Sequence, residues 1–141
     1  PQRHNLERKV AELALSDRVR LVGNRDDVPD WLTSLDLFVL PSYGDEGVPQ
    51  SIMQAMACGL PVVSTPVGAI AEAVVADETG LLVRPKDSRA LGAGLARLMG
   101  DQELRERFGA AGLARAKACF GSDRMLDRME LIFLRYARSA V

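Results

Sequence analysis

Residues 37–65 read LFVLPSYGDEGVPQSIMQAMACGLPVVST, and the order of what they spell decides the fold. Leu37, Phe38, Val39 and Leu40 form a short apolar run, as a parallel strand buried on both faces would. Residues 41–48 are a loop built on Pro, Ser, Gly, Asp and Glu. Pro49 is placed at the first helical position, where its fixed φ helps and its missing N–H costs nothing. Ile52, Met53, Met56 and Ala57 then recur at helical spacing, and Gly59, Leu60 and Pro61 end the helix. Val62 and Val63 begin the next strand. A strand–helix–strand unit of this kind sets a helix N-terminus at the carboxyl edge of a parallel sheet, where unpaired amides and the helix dipole attract anions.

Outward from that unit the same alternation continues. Upstream, residues 5–15 carry Leu6, Val10, Leu13 and Leu15 among charges, which predicts an amphipathic helix. Residues 19–22 (VRLV) predict a strand closed by Gly23. Asp27 is a candidate cap for a short helix over residues 28–35, docked by Trp31 and Leu32. Downstream come a turn at 66–69, a short helix over 70–75 and a strand at 81–83. Three helices follow, over 89–99, 103–118 and 123–138, with Asp87 or Ser88, Asp101 and Ser122 as caps. Their expected inner stripes are Leu91, Leu95 and Leu98; then Leu104, Phe108 and Leu113; then Met125, Met129, Ile132, Phe133 and Tyr136. Alternating strands and helices predict an α/β fold, a Rossmann-like parallel sheet with helices on both faces. Ligands of such sheets bind outside the strand carboxyl ends. The loops there are 23–29, 41–49, 65–70 and 84–88.

The 141 residues suit one domain, and the formal net charge of −1 speaks against a nucleic-acid face. Cys58 and Cys119 lack partner spacing, so free thiols are expected, with Cys58 acting as a small buried hydrophobe. No run is apolar enough to span a bilayer and no leader opens the chain, so a cytoplasmic setting is expected. The chain opens at Pro1 rather than Met, which reads as a piece of a longer protein. His4, the single histidine, reads as a surface residue.

The loop 43–50 (YGDEGVPQ) holds what a phosphorylated sugar would need. Glu46 offers acceptors for vicinal hydroxyls, and Gly47 lets backbone approach a ligand. The amides of Gly47, Val48, Gln50 and Ser51 stand at or near the helix N-terminus, where a diphosphate is favoured. Gln54, one turn further in, is within reach of a ribose. Spacing alone reads Glu46 first as a solvated loop acid and Gln54 as a polar residue on the exposed side of its helix. Met125, Met129 and Phe133 read as core rather than as a cofactor site.

Taken together, DRVRLVG, DDVPDWLTSLDLFVLPS, EGVPQSIMQAMACGLPVVSTPVGAIAEAV and ETGLLVRPKD resemble the C-terminal, donor-binding half of family 4 (group 1) glycosyltransferases of the GT-B fold. The likeness covers nearly the whole chain, with Pro1 matching the end of a GDGP turn. It implies a retaining, hexosyltransferase-type transfer from a nucleotide-diphosphate sugar, without metal or other cofactor, and with UDP or GDP favoured over ADP. In the family a Glu, seven residues and a second Glu mark the donor site. Glu46 matches the first and is implied to hold donor-sugar hydroxyls beside the reacting carbon. Gln54 stands at the second, where the family Glu grips both ribose hydroxyls; Gln keeps hydrogen bonding but loses charge assistance. Gly47, Val48 and Pro49 are implied to line sugar and diphosphate, with Tyr43, Gln50 and Ser51 in the same donor loop. Gly23, Asn24 and Arg25 are implied to border the base. Glu72 matches the Glu of a GGxxE segment in which Gly68 is the first Gly and Ala69 replaces the second; it also reads as a helix-surface acid.

The resemblance further implies an N-terminally truncated GT-B domain, residues 1–141 being a single partial domain. Two preceding strands, the diphosphate's cationic partners and the acceptor half would lie outside it, leaving this piece without turnover on its own. Membrane attachment would come through the other half. In the sheet order 3-2-1-4-5-6, residues 19–22 are the third strand and 37–40 the fourth. The expectation is that these two pair directly, or that a second copy completes the sheet by self-association. The final helix is implied to cross to the other domain, so part of its stripe is expected to be a docking face. The acceptor is expected to be a glycan or lipid-linked saccharide. The alternatives are a GT-B-like nucleotide-sugar epimerase or sugar-phosphate synthase, and a non-catalytic nucleotide-sugar-binding module.

Overall fold

A computed structural model describes residues 2–44 and 46–138; Pro1 and Asp45, each part of an expectation above, lie outside the described residues, as do 139–141. The elements are α1 (Arg3–Glu12), α2 (Val28–Thr33), β1 (Phe38–Leu40), α3 (Gln50–Ala57), β2 (Val62–Ser64), α4 (Ile70–Ala73), β3 (Gly80–Leu82), α5 (Ser88–Gly100), α6 (Gln102–Phe120) and α7 (Ser122–Arg138). The three strands form one parallel sheet in the order β1-β2-β3, with Phe38 opposite Val62 and Val62 opposite Gly80.

Strand pleating sends neighbouring side chains to opposite faces, and the core divides accordingly. Val62 joins Phe38, Leu40 and Leu82 under Ile52 and Met56 of α3 and Ile70 and Ala73 of α4. Val63 joins Leu37, Leu81 and Val83 under Leu98 of α5 and Leu104 and Phe108 of α6. Helix α6 belongs to both layers, since its last turns place Ala116 and Phe120 in the first cluster. It can do so because Gly109 crosses the chain at Gly59: a Cβ on Gly109 would stand 2.1 Å from the Gly59 carbonyl oxygen.

Helix ends follow the sequence in most places. Asp87 and Asp101 accept hydrogen bonds from the amides of Ala90 and Leu104, each at 2.8 Å, and so cap α5 and α6. Gly59, at φ +75°, closes α3 with the paired bonds Gly59 N to Met56 O and Leu60 N to Ala55 O. Three details differ. Pro49 is the N-cap, at ψ 126°, and the helix starts one residue later. Asp27 does not cap α2, because its carboxylate is engaged by Arg25. Ser122 is the first residue of α7, and Gly121 supplies the carbonyl that Met125 N meets.

Larger corrections concern the two ends. Residues 19–22 form no strand and do not pair with β1, so β1 keeps an open edge among the described residues. Two of their backbone groups are bonded locally instead: Val19 N donates to Leu15 O in the turn that follows α1, and Leu21 O accepts from Arg3 of α1. Helix α1 buries no side chain, and Leu6 and Leu13 stay exposed. The expected inner stripe of α7 is likewise outside: Met125, Met129, Ile132, Phe133 and Tyr136 are all exposed, as a docking face would be and a core would not. The chain turns away from the sheet at Gly121, whose extended backbone (ψ 148°) separates α6 from α7. Both cysteines are free and half-buried, so Cys58 is less enclosed than expected. No helix among the described residues is long and apolar enough to cross a membrane.

Candidate functional site

Above the carboxyl ends of β1 and β2, two loops are stitched together by buried hydroxyls. Ser64 donates to Leu40 O at 2.7 Å, and Thr65 donates to Ser42 O at 2.6 Å. Both side chains are buried at the end of an otherwise apolar strand, and both are satisfied. The hydroxyls thus tie the loop leaving β1 to the strand beside it.

Glu46 hangs from this seam, half-buried. Ser42 Oγ donates to Glu46 Oε1 at 2.8 Å. Ala69 N donates to Glu46 O at 2.8 Å, so the loop after β2 grips the same residue through its backbone. The grip depends on Gly68, whose φ is +54° and whose missing Cβ would stand 2.0 Å from Glu46 O. A left-handed turn and a close approach coincide there, and only glycine meets both demands.

Immediately after Glu46 the chain enters α3. Pro49 O accepts from both Ile52 and Met53, which leaves the amides of Gln50 and Ser51 ahead of the helical ladder. No side chain caps this end. Glu46, Gly47, Val48, Pro49, Gln50 and Ser51 are thereby brought together at the carboxyl edge of the sheet. A Cβ on Gly47 would meet nothing within 4 Å, so its surroundings are open. Gln54 is exposed and turned along the helix, where with Gln50, Met53, Ala57, Lys117 and Phe120 it lines a groove of about 360 Å³ between α3 and the end of α6.

Other residues that the sequence pointed to fall elsewhere. Gly23, Asn24 and Arg25 are held by α1 and α2: Gly23 lies beside Arg3, and Arg25 pairs with Asp27 at 2.5 Å and 2.8 Å while lying over the Trp31 ring. The Arg25 guanidinium holds the Asp27 carboxyl below its ordinary range, and the pairing raises the arginine in turn. Tyr43 is 72% exposed, and Lys86 Nζ lies 5.4 Å from its ring centroid. Glu72 has an exposed side chain; its carbonyl and that of Ala73 accept from Arg115, which pins α4 to α6. His4 is exposed on α1.

Sequence reasoning put Ser42, Thr65 and Lys86 in the loops at the carboxyl edge of the sheet but singled out none of them as a site residue. Ser42 had a weak signal, a hydroxyl four residues before an acid in one loop. Thr65 had another, a polar residue at the end of an apolar strand. Lys86 had none, since it reaches Tyr43 only through a left-handed backbone at φ +60°. Lys86 and Arg84 also border a depression of about 210 Å³ with Pro41, Thr65 and Ser88.

Comparison with known proteins places this architecture. The family described as Glycosyl transferases group 1 matches residues 1–101. The chain belongs to the group 1 glycosyltransferases, and its fold is that of GT-B enzymes. It is 40% identical over 117 residues to a lipopolysaccharide core biosynthesis mannosyltransferase of Rhizobium meliloti, covering 82% of this chain and 33% of that protein. Among solved structures it is similar to sucrose-phosphate synthase from Thermosynechococcus elongatus, with 32% identity, a TM-score of 0.90, and 99% of this chain and 35% of that one covered. It also resembles HepE of Anabaena in complex with UDP-glucose, at 25% identity and a TM-score of 0.88, covering 94% of this chain and 36% of that one. The chain spans about a third of the length of these relatives.

Proposed function

We propose that these residues are the donor-binding part of a retaining glycosyltransferase that moves a hexose from a nucleotide-diphosphate sugar to a glycan or lipid-linked acceptor. The observation that carries the reading is the juxtaposition of a fixed carboxylate, Glu46, with the uncapped start of α3. In this reading the amides of Gln50 and Ser51, with the helix dipole, stabilise the departing diphosphate as the anomeric C–O bond breaks. Glu46 accepts hydrogen bonds from the sugar's hydroxyls and sets its angle to the acceptor. Gly47, Val48 and Pro49 pass close beneath the diphosphate, and Gln54 meets the ribose from the groove it shares with Gln50. Gly23, Asn24 and Arg25 border the base, and Tyr43 borders the sugar. The likeness to a UDP-glucose complex supports a nucleotide-sugar ligand. The acceptor half comes from a partner domain, so residues 1–141 by themselves bind donor without turnover. The working setting is the cytoplasm, with any membrane contact made through that other domain.

Titration calorimetry of the full-length protein with UDP, GDP and ADP, alone and as Glu46→Ala, tests this. The expected result is binding of UDP or GDP, kept in the variant, together with a drop in turnover of about 100-fold or more. Absence of binding by all three, or near-normal turnover by the variant, overturns the reading. A second reading, a sugar-phosphate synthase, has the likeness to sucrose-phosphate synthase behind it. Product analysis with free sugar phosphates as acceptors separates the two.

A further inference from the structure

Glu46 is flexible at three side-chain torsions, and a carboxylate that steers a sugar has to stay in one place. Its backbone is clamped by Ala69 N and by the close approach of Gly68. That clamp says nothing about where the carboxylate points. One contact does: Ser42 Oγ–H donates to Oε1 at 2.8 Å. Oε2 takes no hydrogen bond among the described residues. The Ser42 backbone is in turn held in place, because its carbonyl accepts from Thr65, a side chain only 2% exposed at the end of the central strand β2. A continuous relay therefore runs from the sheet through Thr65 and Ser42 to one oxygen of Glu46.

From this geometry we infer that Ser42 is a positioning residue, which fixes Glu46 Oε1 so that Oε2 is presented to the donor sugar. The inference rests on the role proposed for Glu46. Ser42 touches no substrate. Its effect passes through the carboxylate, so it alters the placement of the sugar and leaves the nucleotide's grip on α3 unchanged. A hydroxyl donating at this distance favours the one Glu46 rotamer that keeps the contact.

The test uses the full-length protein with UDP-glucose and GDP-mannose as probes, reading nucleotide release in single turnover. Ser42→Ala is expected to lower the rate about 10-fold or more while the dissociation constant for UDP or GDP changes less than 2-fold. Ser42→Thr, which keeps the hydroxyl, is expected to restore the rate to within about 3-fold of the parent. The decisive measurement is the cycle with Glu46→Ala. If Ser42 acts through Glu46, adding Ser42→Ala to that variant costs nothing further. A full additional loss, or a silent Ser42→Ala in a protein whose Glu46→Ala is crippled, overturns the inference and leaves the role of Glu46 standing. Should Ser42→Ala fail to fold, Ser42→Cys, which is close in size and only a weak donor, takes its place, with a rate between those of Ser42→Thr and Glu46→Ala expected and a rate equal to the parent overturning the inference. Near-normal turnover by Glu46→Ala alone removes the proposed function itself.

Discussion

Gly68→Ala is the sharpest perturbation available to this site, because a single methyl must displace Glu46. The new Cβ would stand 2.0 Å from Glu46 O, 2.6 Å from its N and 2.8 Å from its C, where real contacts begin near 3.0 Å. All three atoms are backbone, so no rotamer change relieves the clash. The two loops have to separate by about 1 Å, and the bond from Ala69 N to Glu46 O is stretched or lost. Alanine at φ +54° adds a left-handed penalty of about 1–2 kcal/mol. At about 4 °C per kcal/mol for a domain of this size, thermal unfolding should move down by roughly 4–8 °C. On the role proposed for Glu46, the larger effect should fall on turnover, since a 1 Å misplacement at the reacting centre can cost about 100-fold. In the full-length protein we expect that loss in turnover number. Calorimetric melting and donor-turnover kinetics on the same preparation check both parts. Turnover within 2-fold of the parent, with the melting point unmoved, would mean that the Gly68 loop does not set the position of Glu46.

Three further outcomes are expected. Phe108→Ala, which empties a fully buried position between α6 and the sheet, should cost about 3–5 kcal/mol in denaturant unfolding and leave donor affinity of the surviving folded protein unchanged. Gln54→Glu should leave donor binding equal or tighter by calorimetry, since it restores charge to an exposed position beside Gln50; a large loss would take Gln54 off the ribose. Arg25→Ala should return the Asp27 carboxyl upward to its ordinary range in an NMR titration. The Arg25–Asp27 pair holds a depressed carboxyl, so its small contribution to stability is present at neutral pH and fades as pH falls through the folded-state value; loss of that fading in the variant is the matching observation.

Most local signals were read correctly where local physics decides. The apolar runs read at 37–40, from 62, and at 81–83 are strands within one residue at each end (38–40, 62–64 and 80–82), the caps at Asp87 and Asp101 are in place, and Gly59 ends α3. Stereochemistry confined to a few neighbouring residues governs each of these. The misreadings at Pro49, Asp27 and Ser122 are local, a shift of one position or a competing neighbour, and the larger ones concern what lies across the fold. Residues 19–22 have a strand's composition, but a strand exists only beside another, and Arg3 with Leu15 claims their backbone first. The stripe on α7 is a true helical stripe, yet periodicity states that one face is apolar and cannot state what covers it.

The same division runs through the candidate site. By itself the sequence determined that an acid and then a helix start follow an apolar strand, because those are consecutive residues with fixed backbone preferences; the strand, expected to be buried on both faces, is an edge strand among the described residues, with Val39 exposed. Only the tertiary structure decided where the acid is held. Ser42 reaches Glu46 within one loop, but Thr65 and Gly68 come from the neighbouring strand's exit, and they meet Ser42 and Glu46 respectively only once β1 and β2 lie side by side. The carboxylate's direction comes from Ser42 in its own loop, and the place of the Glu46 backbone is a consequence of strand pairing, which no local stretch of chain encodes.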